Sequence, residues 1–260
     1  MHGCLSVVIP VYNEERTIAL VVESAAKLDC VLEIIVVDDG STDGTSTVLQ
    51  GLVGHIPGLR YIRHEHNSGK TAALRTGFGE TRGDIVIVQD ADLEYDPAEI
   101  PSVIEPIVQG RADVVYGSRF LVRRAARVVY FYHYVANRFL TLFSNALTNL
   151  NMTDVETGYK AFRGEIIRAM LIHSSGFGFE IEVTAKIAKL KCAIYETPIS
   201  YYGRTYEEGK KIGVTDGIAA LWYIVRYNLL CTRKQAFRAV PQLERVGANT
   251  VNNQAGAMGR

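Results

Sequence analysis

The sequence predicts an α/β protein in which a parallel sheet is covered on both faces by helices and followed by a helical annex. Three observations predict it. Apolar β-branched runs alternate with stretches of helical spacing, the runs are apolar on both faces, and most of them end in a polar, often acidic turn.

In chain order, Leu5–Val11 reads as the first strand, with helical spacing over Glu14–Leu28. Leu32–Val37 and a helix over Asp43–Leu52 make the second pair, and Leu59–Ile62 with Lys70–Thr81 the third. Ile85–Val88 with Pro97–Val108 is the fourth, and Asp113–Tyr116 closes an α/β half of roughly residues 1–120. After Arg119 the pattern changes. An aromatic-rich helix is expected over Val128–Leu150, a second over Glu180–Leu190 and a strand over Ala193–Tyr201. Residues 121–235 are read as an annex on the carboxyl edge of the sheet, and the tail from 236, without apolar period beyond Pro241, is expected to be disordered.

The 260 residues carry 28 Lys and Arg against 28 Asp and Glu, so no net field attracts nucleic acid. Cys4, Cys30, Cys192 and Cys231 lack any CxxC spacing, which implies reduced thiols and a cytoplasmic location. Met1 to Pro10 has no signal-peptide pattern, and the apolar stretch Gly217 to Val225 is well short of the ~20 residues needed to span a bilayer. The sequence is silent on oligomeric state.

Ligands of parallel sheets bind at strand carboxyl ends, and here those turns are Pro10-Val11-Tyr12-Asn13-Glu14, Asp38-Asp39-Gly40-Ser41 and Asp90-Ala91-Asp92-Leu93-Glu94. The first turn has no glycine, so a dinucleotide fingerprint fails. Gly69-Lys70-Thr71 resembles the end of a phosphate loop, but His64 stands where its first glycine belongs. Asp39-Ser41-Asp43-Gly44 imitates the start of an EF-hand, yet Gln50 replaces the bidentate glutamate. Asp90 and Asp92, two residues apart at a strand end, point the same way, which suits a divalent ion shared with a diphosphate. The competing reading is a solvated acidic loop or a helix start, with Asp96-Pro97 capping the next helix.

Together, Val8-Ile9-Pro10-Val11-Tyr12-Asn13-Glu14, Val36-Val37-Asp38-Asp39-Gly40-Ser41, Gly69-Lys70 with Ala73-Leu74-Arg75-Thr76-Gly77-Phe78, Asp90-Ala91-Asp92-Leu93 and Gly117-Ser118-Arg119 resemble the family 2 inverting glycosyltransferases of GT-A fold. Asp154-Val155-Glu156-Thr157-Gly158-Tyr159-Lys160 and the pair Arg204 and Lys210 resemble the polyprenyl-phosphate (dolichol-phosphate) mannosyl- and glucosyltransferase branch. The resemblance implies a single GT-A catalytic domain over 1–235, with a Rossmann-like, mostly parallel sheet and a membrane-facing annex. It further implies that Pro10, Tyr12, Glu14 and Asp39 hold the nucleoside, that Asp38 supports that turn, and that Lys70, Asp90 and Ala91 border the nucleotide sugar. Mg²⁺ or Mn²⁺ would sit on Asp90 and Asp92 with Glu94 alongside, and Arg119, Arg204 and Lys210 would surround the diphosphate and the acceptor phosphate. His133, with Arg138 nearby, stands where such enzymes can place another arginine.

The implied reaction moves a hexose from a nucleotide-diphosphate sugar of GDP-mannose or UDP-glucose type to a polyprenyl or dolichyl phosphate at the cytoplasmic membrane face. A phosphate acceptor is already nucleophilic at neutral pH, so a strong base is dispensable. Asp154 is then either the base or an anchor paired with Lys160 or an arginine. Arg123, Arg124 and Arg127 precede Tyr130-Phe131-Tyr132-His133-Tyr134, and Trp222, Tyr223 and Tyr227 lie in an apolar helix between Lys210, Lys211, Arg233 and Lys234. That arrangement fits a headgroup zone, a core or a dimer face. The other readings are transfer to a glycolipid or polysaccharide hydroxyl, and a nucleotide-sugar-binding module without turnover.

Overall fold

The computed structural model describes residues 3–121, 128, 130–203 and 214–243. Its strands are β1 (Leu5–Val11), β2 (Val31–Asp38), β3 (Leu59–Arg63), β4 (Ile85–Val88), β5 (Val114–Ser118), β6 (Lys160–Arg163) and β7 (Ile194–Pro198). The helices are α1 (Ile18–Ala26), α2 (Thr45–Leu52), α3 (Lys70–Gly79), α4 (Ile100–Val108), α5 (Phe131–Thr148), α6 (Gly164–Ala169), α7 (Phe179–Ala188), α8 (Val214–Val225) and α9 (Arg233–Ala236). One sheet runs in the order β3-β2-β1-β4-β6-β5-β7.

Alternation along each strand sends side chains to two cores. Val7, Ile9 and Val11 of β1, Ile34 and Val36 of β2 and Ile85 and Ile87 of β4 pack with Ile18, Leu49 and Ile104 of α1, α2 and α4. Val8, Val86 and Val88 face the other way, onto Leu74 and Phe78 of α3 and Phe179 and Val183 of α7. Burial on both faces is why these strands read as continuous apolar runs.

The expected boundaries differ at the ends. Residues 14–17 form a turn before α1, and Thr17 makes no side-chain cap there. Asp96 caps the chain after the fourth strand, its Oδ1 accepting from the Ala98 amide at 2.9 Å, and Pro97–Glu99 form a 3₁₀ turn before α4. Two features were not foreseen. β6, a strand absent from the sequence reading, is antiparallel to both β4 and β5, and the sheet is mostly parallel as the resemblance implied. The chain expected as a tail from 236 starts later: Ala236 and Phe237 are buried, and Phe237 bridges Met170. Among the described residues no helix is long and apolar enough to cross a membrane.

Candidate functional site

β1, β2, β4 and β5 are parallel members of the sheet, with β6 between the last two, and their carboxyl ends present the acidic turns along one rim. The first two turns are stitched together. Asn13, in the left-handed region at φ 54°, receives a hydrogen bond from the Thr42 amide at 2.8 Å and donates its own amide to Ser41. The Glu14 amide donates to Thr45 Oγ1 at 2.9 Å. Pro10 and Val11 are buried at the end of β1, with Tyr12 and Glu14 half-buried beyond them.

Asp38 and Asp39 point into protein. Asp38 Oδ1 accepts from the Ser41 amide at 2.8 Å and Oδ2 from the Tyr61 hydroxyl at 3.0 Å. Asp39 takes both amides of the loop before α3, Ser68 at 3.0 Å and Gly69 at 2.6 Å, and pairs with His64 Nδ1 at 2.7 Å. Asp39 therefore fixes the loop that delivers Lys70. His64 follows β3 directly, at the same rim, and sequence reasoning had passed over it except as a missing glycine.

Lys70, the first residue of α3, reaches Asp90 Oδ1 at 2.8 Å and Glu180 Oε1 at 3.0 Å. Burial opposes its charge, but the two carboxylates overcome that and raise its pKa well above the ordinary lysine value. Gly158 passes so close that a Cβ there would collide with Asp90 Oδ2. Ala91 is buried, Asp92 Oδ1 accepts from the Glu94 amide at 3.1 Å, and Leu93 between them sits at φ 61°. A leucine in that region costs about 1–3 kcal/mol, so the surrounding structure enforces the turn. Tyr95, buried and stacked on Tyr159 with centroids 5.3 Å apart, its hydroxyl accepting from the Gly158 amide at 3.1 Å, braces it. Its phenol is pushed up to about 12 by burial first, then by Asp90 and Asp154 against the opposing pull of Arg119.

Glu94 turns aside from the aspartates: its Oε2 accepts from Tyr201 at 3.0 Å. Among the described residues no three of His, Cys, Asp and Glu gather into a cation cage. Of the expected trio of Asp90, Asp92 and Glu94, the third carboxylate bonds the tyrosine that packs on Arg119.

Arg119 leaves the end of β5 and is gripped by Asp154, with Nε 2.6 Å from Oδ2 and Nη2 2.7 Å from Oδ1. The pair is nearly dry, at 15% and 0% side-chain exposure. Tyr201 stacks on the guanidinium at 5.1 Å. Asn137 also donates to Asp154, and Glu196 holds the preceding turn through the Thr153 amide at 2.9 Å. Burial would raise the Asp154 pKa, and Arg119 outweighs it, holding the carboxyl below its usual range. Lys160 lies elsewhere, donating to the Val155 and Thr157 carbonyls over the Tyr116 ring. Burial pushes it down to about 8.

Three further groups lie here to which the sequence reading gave no role: Glu180, and Glu156 and Gly158 of the motif beginning at Asp154. Only the fold shows Glu180 buried and Glu156 half-buried with its Oε1 shielded and unpartnered. Arg204 and Lys210 lie outside the described residues, as do Arg123, Arg124, Arg127 and Lys211. Of the aromatic set on α8 and beyond, Trp222 is exposed, whereas Tyr227 is buried and Tyr223 bonds to Ser175.

Residues 6–171 match the family described as Glycosyl transferase family 2. An undecaprenyl-phosphate mannosyltransferase of Micrococcus luteus is 29% identical over 243 residues, 89% of this chain and 96% of its own length. A polyprenol monophosphomannose synthase of Mycolicibacterium smegmatis is 29% identical over 214 residues, 80% of each chain. Among solved structures, glucosyl-3-phosphoglycerate synthase of Mycobacterium tuberculosis, in complex with Mn²⁺, uridine diphosphate and glucosyl-3-phosphoglycerate, superposes with a TM-score of 0.67. It is 23% identical, covering 87% of this chain and 80% of that one, and the likeness is one of fold, the GT-A sheet. With these acidic turns on such a rim, and with the match running through all three of them and the Arg119 strand, the chain belongs to glycosyl transferase family 2.

Proposed function

We propose that the protein transfers a hexose, with inversion, from a nucleotide-diphosphate sugar to the phosphate of a polyprenyl chain. The observation that carries this reading is the Arg119–Asp154 pair. It places a permanent cation at the rim, on the same sheet edge as Asp90, and it commits the nearest candidate base to holding that cation. A hydroxyl acceptor needs a base, whereas a phosphate dianion needs a cation to receive it. The names of the two curated relatives, both acting on polyprenyl phosphates, agree with that chemistry.

The donor side takes its residues from the first, second and fourth turns, with Tyr12, Glu14 and the Asp39 loop around the nucleoside and Lys70 toward the diphosphate. Asp90 and Asp92 would hold Mg²⁺ or Mn²⁺. The donor set fits: Lys70 stands as an internal cation on Asp90, and Gly158 leaves Asp90 a cradle that any side chain would fill. Two carboxylates completed by phosphate oxygens suit such an ion. When bound, it supplies positive charge to the leaving diphosphate. Arg119 orients the incoming phosphate, and Tyr95, Tyr159 and Tyr201 exclude water from beneath it.

The membrane side is α5 with α8, which pack on each other. Phe131, Tyr132, Val135, Phe139 and Leu142 of α5 and Ile218 and Trp222 of α8 are exposed, an aromatic-rich apolar face of the sort that lies in a headgroup zone. The reading places the protein peripherally on the cytoplasmic leaflet. The test is a panel of nucleotide sugars incubated with a short polyprenyl phosphate and Mn²⁺ or Mg²⁺. The expected product is a lipid-phosphate sugar of inverted anomeric configuration, and donor binding without transfer would reduce the protein to a binding module.

A further inference from the structure

We infer that Lys70 is a resident cation that occupies Asp90 until a divalent ion binds there, and that Glu180 is the carboxylate to which it withdraws. This rests on the assignment of Asp90 as a metal ligand in the reading above. The Lys70 ammonium lies 2.8 Å from Asp90 Oδ1 and 3.0 Å from Glu180 Oε1, so one charge bridges two carboxylates. Side-chain exposures of 16% for Lys70 and 5% for Glu180 make this an interior bridge rather than a solvated surface pair. The second oxygen of Glu180, Oε2, is buried and has no hydrogen-bond partner. A buried carboxylate oxygen left unmet is costly, and an ammonium has three donors. Turning fully onto Glu180 would satisfy that oxygen and release Asp90.

The backbone that carries Lys70 is held in place. The loop at Lys70 is pinned on one side by Asp39 through the Gly69 amide at 2.6 Å. On the other it is pinned by the Gly176 carbonyl, which accepts from the Thr71 amide at 3.0 Å. Gly158 packs against Asp90 Oδ2. The lysine side chain, between the two carboxylates, is the group that can turn from one to the other. Lys70 and Glu180 are thus positioning residues: the site keeps a neutralising charge at every stage, and an anionic diphosphate draws Lys70 off Asp90 in the same sense as a metal does. Cation and nucleotide reinforce each other's binding as a result.

Mn²⁺ titrated into the nucleotide-free protein, with free ion counted by electron paramagnetic resonance, reads this directly. Lys70→Gln is expected to bind Mn²⁺ about tenfold more tightly than the wild type, because nothing has to be displaced. Glu180→Gln is expected to bind it about tenfold more weakly, because Lys70 then stays on Asp90. In the Lys70→Gln background, Glu180→Gln should have no further effect if Glu180 acts through the lysine. Equal or weaker binding by a folded Lys70→Gln protein overturns the exchange. If Lys70→Gln does not fold, Glu180→Gln decides: weaker binding supports the exchange, unchanged affinity overturns it. Asp90→Asn separates the two layers. Undiminished Mn²⁺ binding by that variant overturns the metal assignment and the exchange with it, whereas its loss together with an unaltered Lys70→Gln affinity overturns the exchange alone.

Discussion

Asp154, buried, and Glu156, half-buried with its Oε1 shielded from solvent, are carboxylates two residues apart with opposite fates. Arg119 stabilises the charged form of Asp154, so Asp154→Asn leaves a guanidinium in a nearly dry place and should cost about 3–5 kcal/mol of stability, read as a lowered denaturation midpoint. If Asp154 only holds Arg119, the acidic limb of the kcat/KM pH profile stays where it was in the surviving folded fraction. A shift of that limb would make it the base. Glu156 has no such partner. Burial first, and the neighbouring Glu180 second, push its pKa up to about 7 from 4.5. Between those values the folded chain holds a proton that the unfolded chain has released, so this residue's contribution to stability falls as pH rises through about 4.5 to 7. Glu156→Gln removes the dependence. Its melting temperature should match the wild type near pH 5 and exceed it by about pH 8, and a constant difference across that range would show that Glu156 ionises normally. Asp92→Asn should abolish metal-dependent transfer with the fold intact.

At the scale of elements, α8 reaches the start of α3 through a loop. The Tyr223 hydroxyl meets Ser175 Oγ at 3.1 Å, a Cβ on Gly178 would collide with the same ring, and the Gly176 carbonyl next to Ser175 accepts from Thr71 at the start of α3. A helix with an exposed apolar face thereby braces the helix that carries Lys70. Tyr223→Phe removes a hydrogen bond worth about 1 kcal/mol, and the expected result is faster amide exchange at Thr71 with a donor KM raised about fivefold and kcat little changed. Unchanged exchange at Thr71 would detach α8 from the site. Gly178→Ala overpacks the contact and should destabilise by about 1–3 kcal/mol, measured by denaturant unfolding.

Across the whole molecule, the parallel half was legible because its strands are buried on both faces and its helices carry a clear apolar period. Asp90 and Asp92 lie within four residues of the end of β4, so the rule about strand carboxyl ends pointed to their turn, whereas Arg119 entered through the family resemblance. β6 was not legible: it is short, begins and ends in charged residues, and its Lys160 is buried under Tyr116 by contacts between distant segments. α7 was legible as a helix, but the burial of its charges was not. Glu182 and Lys186 form a buried pair and Glu182 accepts the His173 and Ser174 amides, where helical spacing alone suggests a solvated face. The tail boundary failed for the same reason, since Phe237 is buried by an antiparallel bridge to Met170. The exposed faces of α5 and α8 predict that the purified protein floats with anionic vesicles. Phe131→Ser combined with Trp222→Ser should reduce that binding without changing donor affinity.

The account turns on the acceptor being a phosphate received by Arg119 rather than a hydroxyl activated by a base. Turnover should therefore be compared on a polyprenyl phosphate and on the polyprenol of identical chain, with the same donor and Mn²⁺. Sugar should pass to the phosphate and not to the alcohol. Comparable transfer to the alcohol would contradict the account, because it would require a base that the Arg119–Asp154 pair does not leave free.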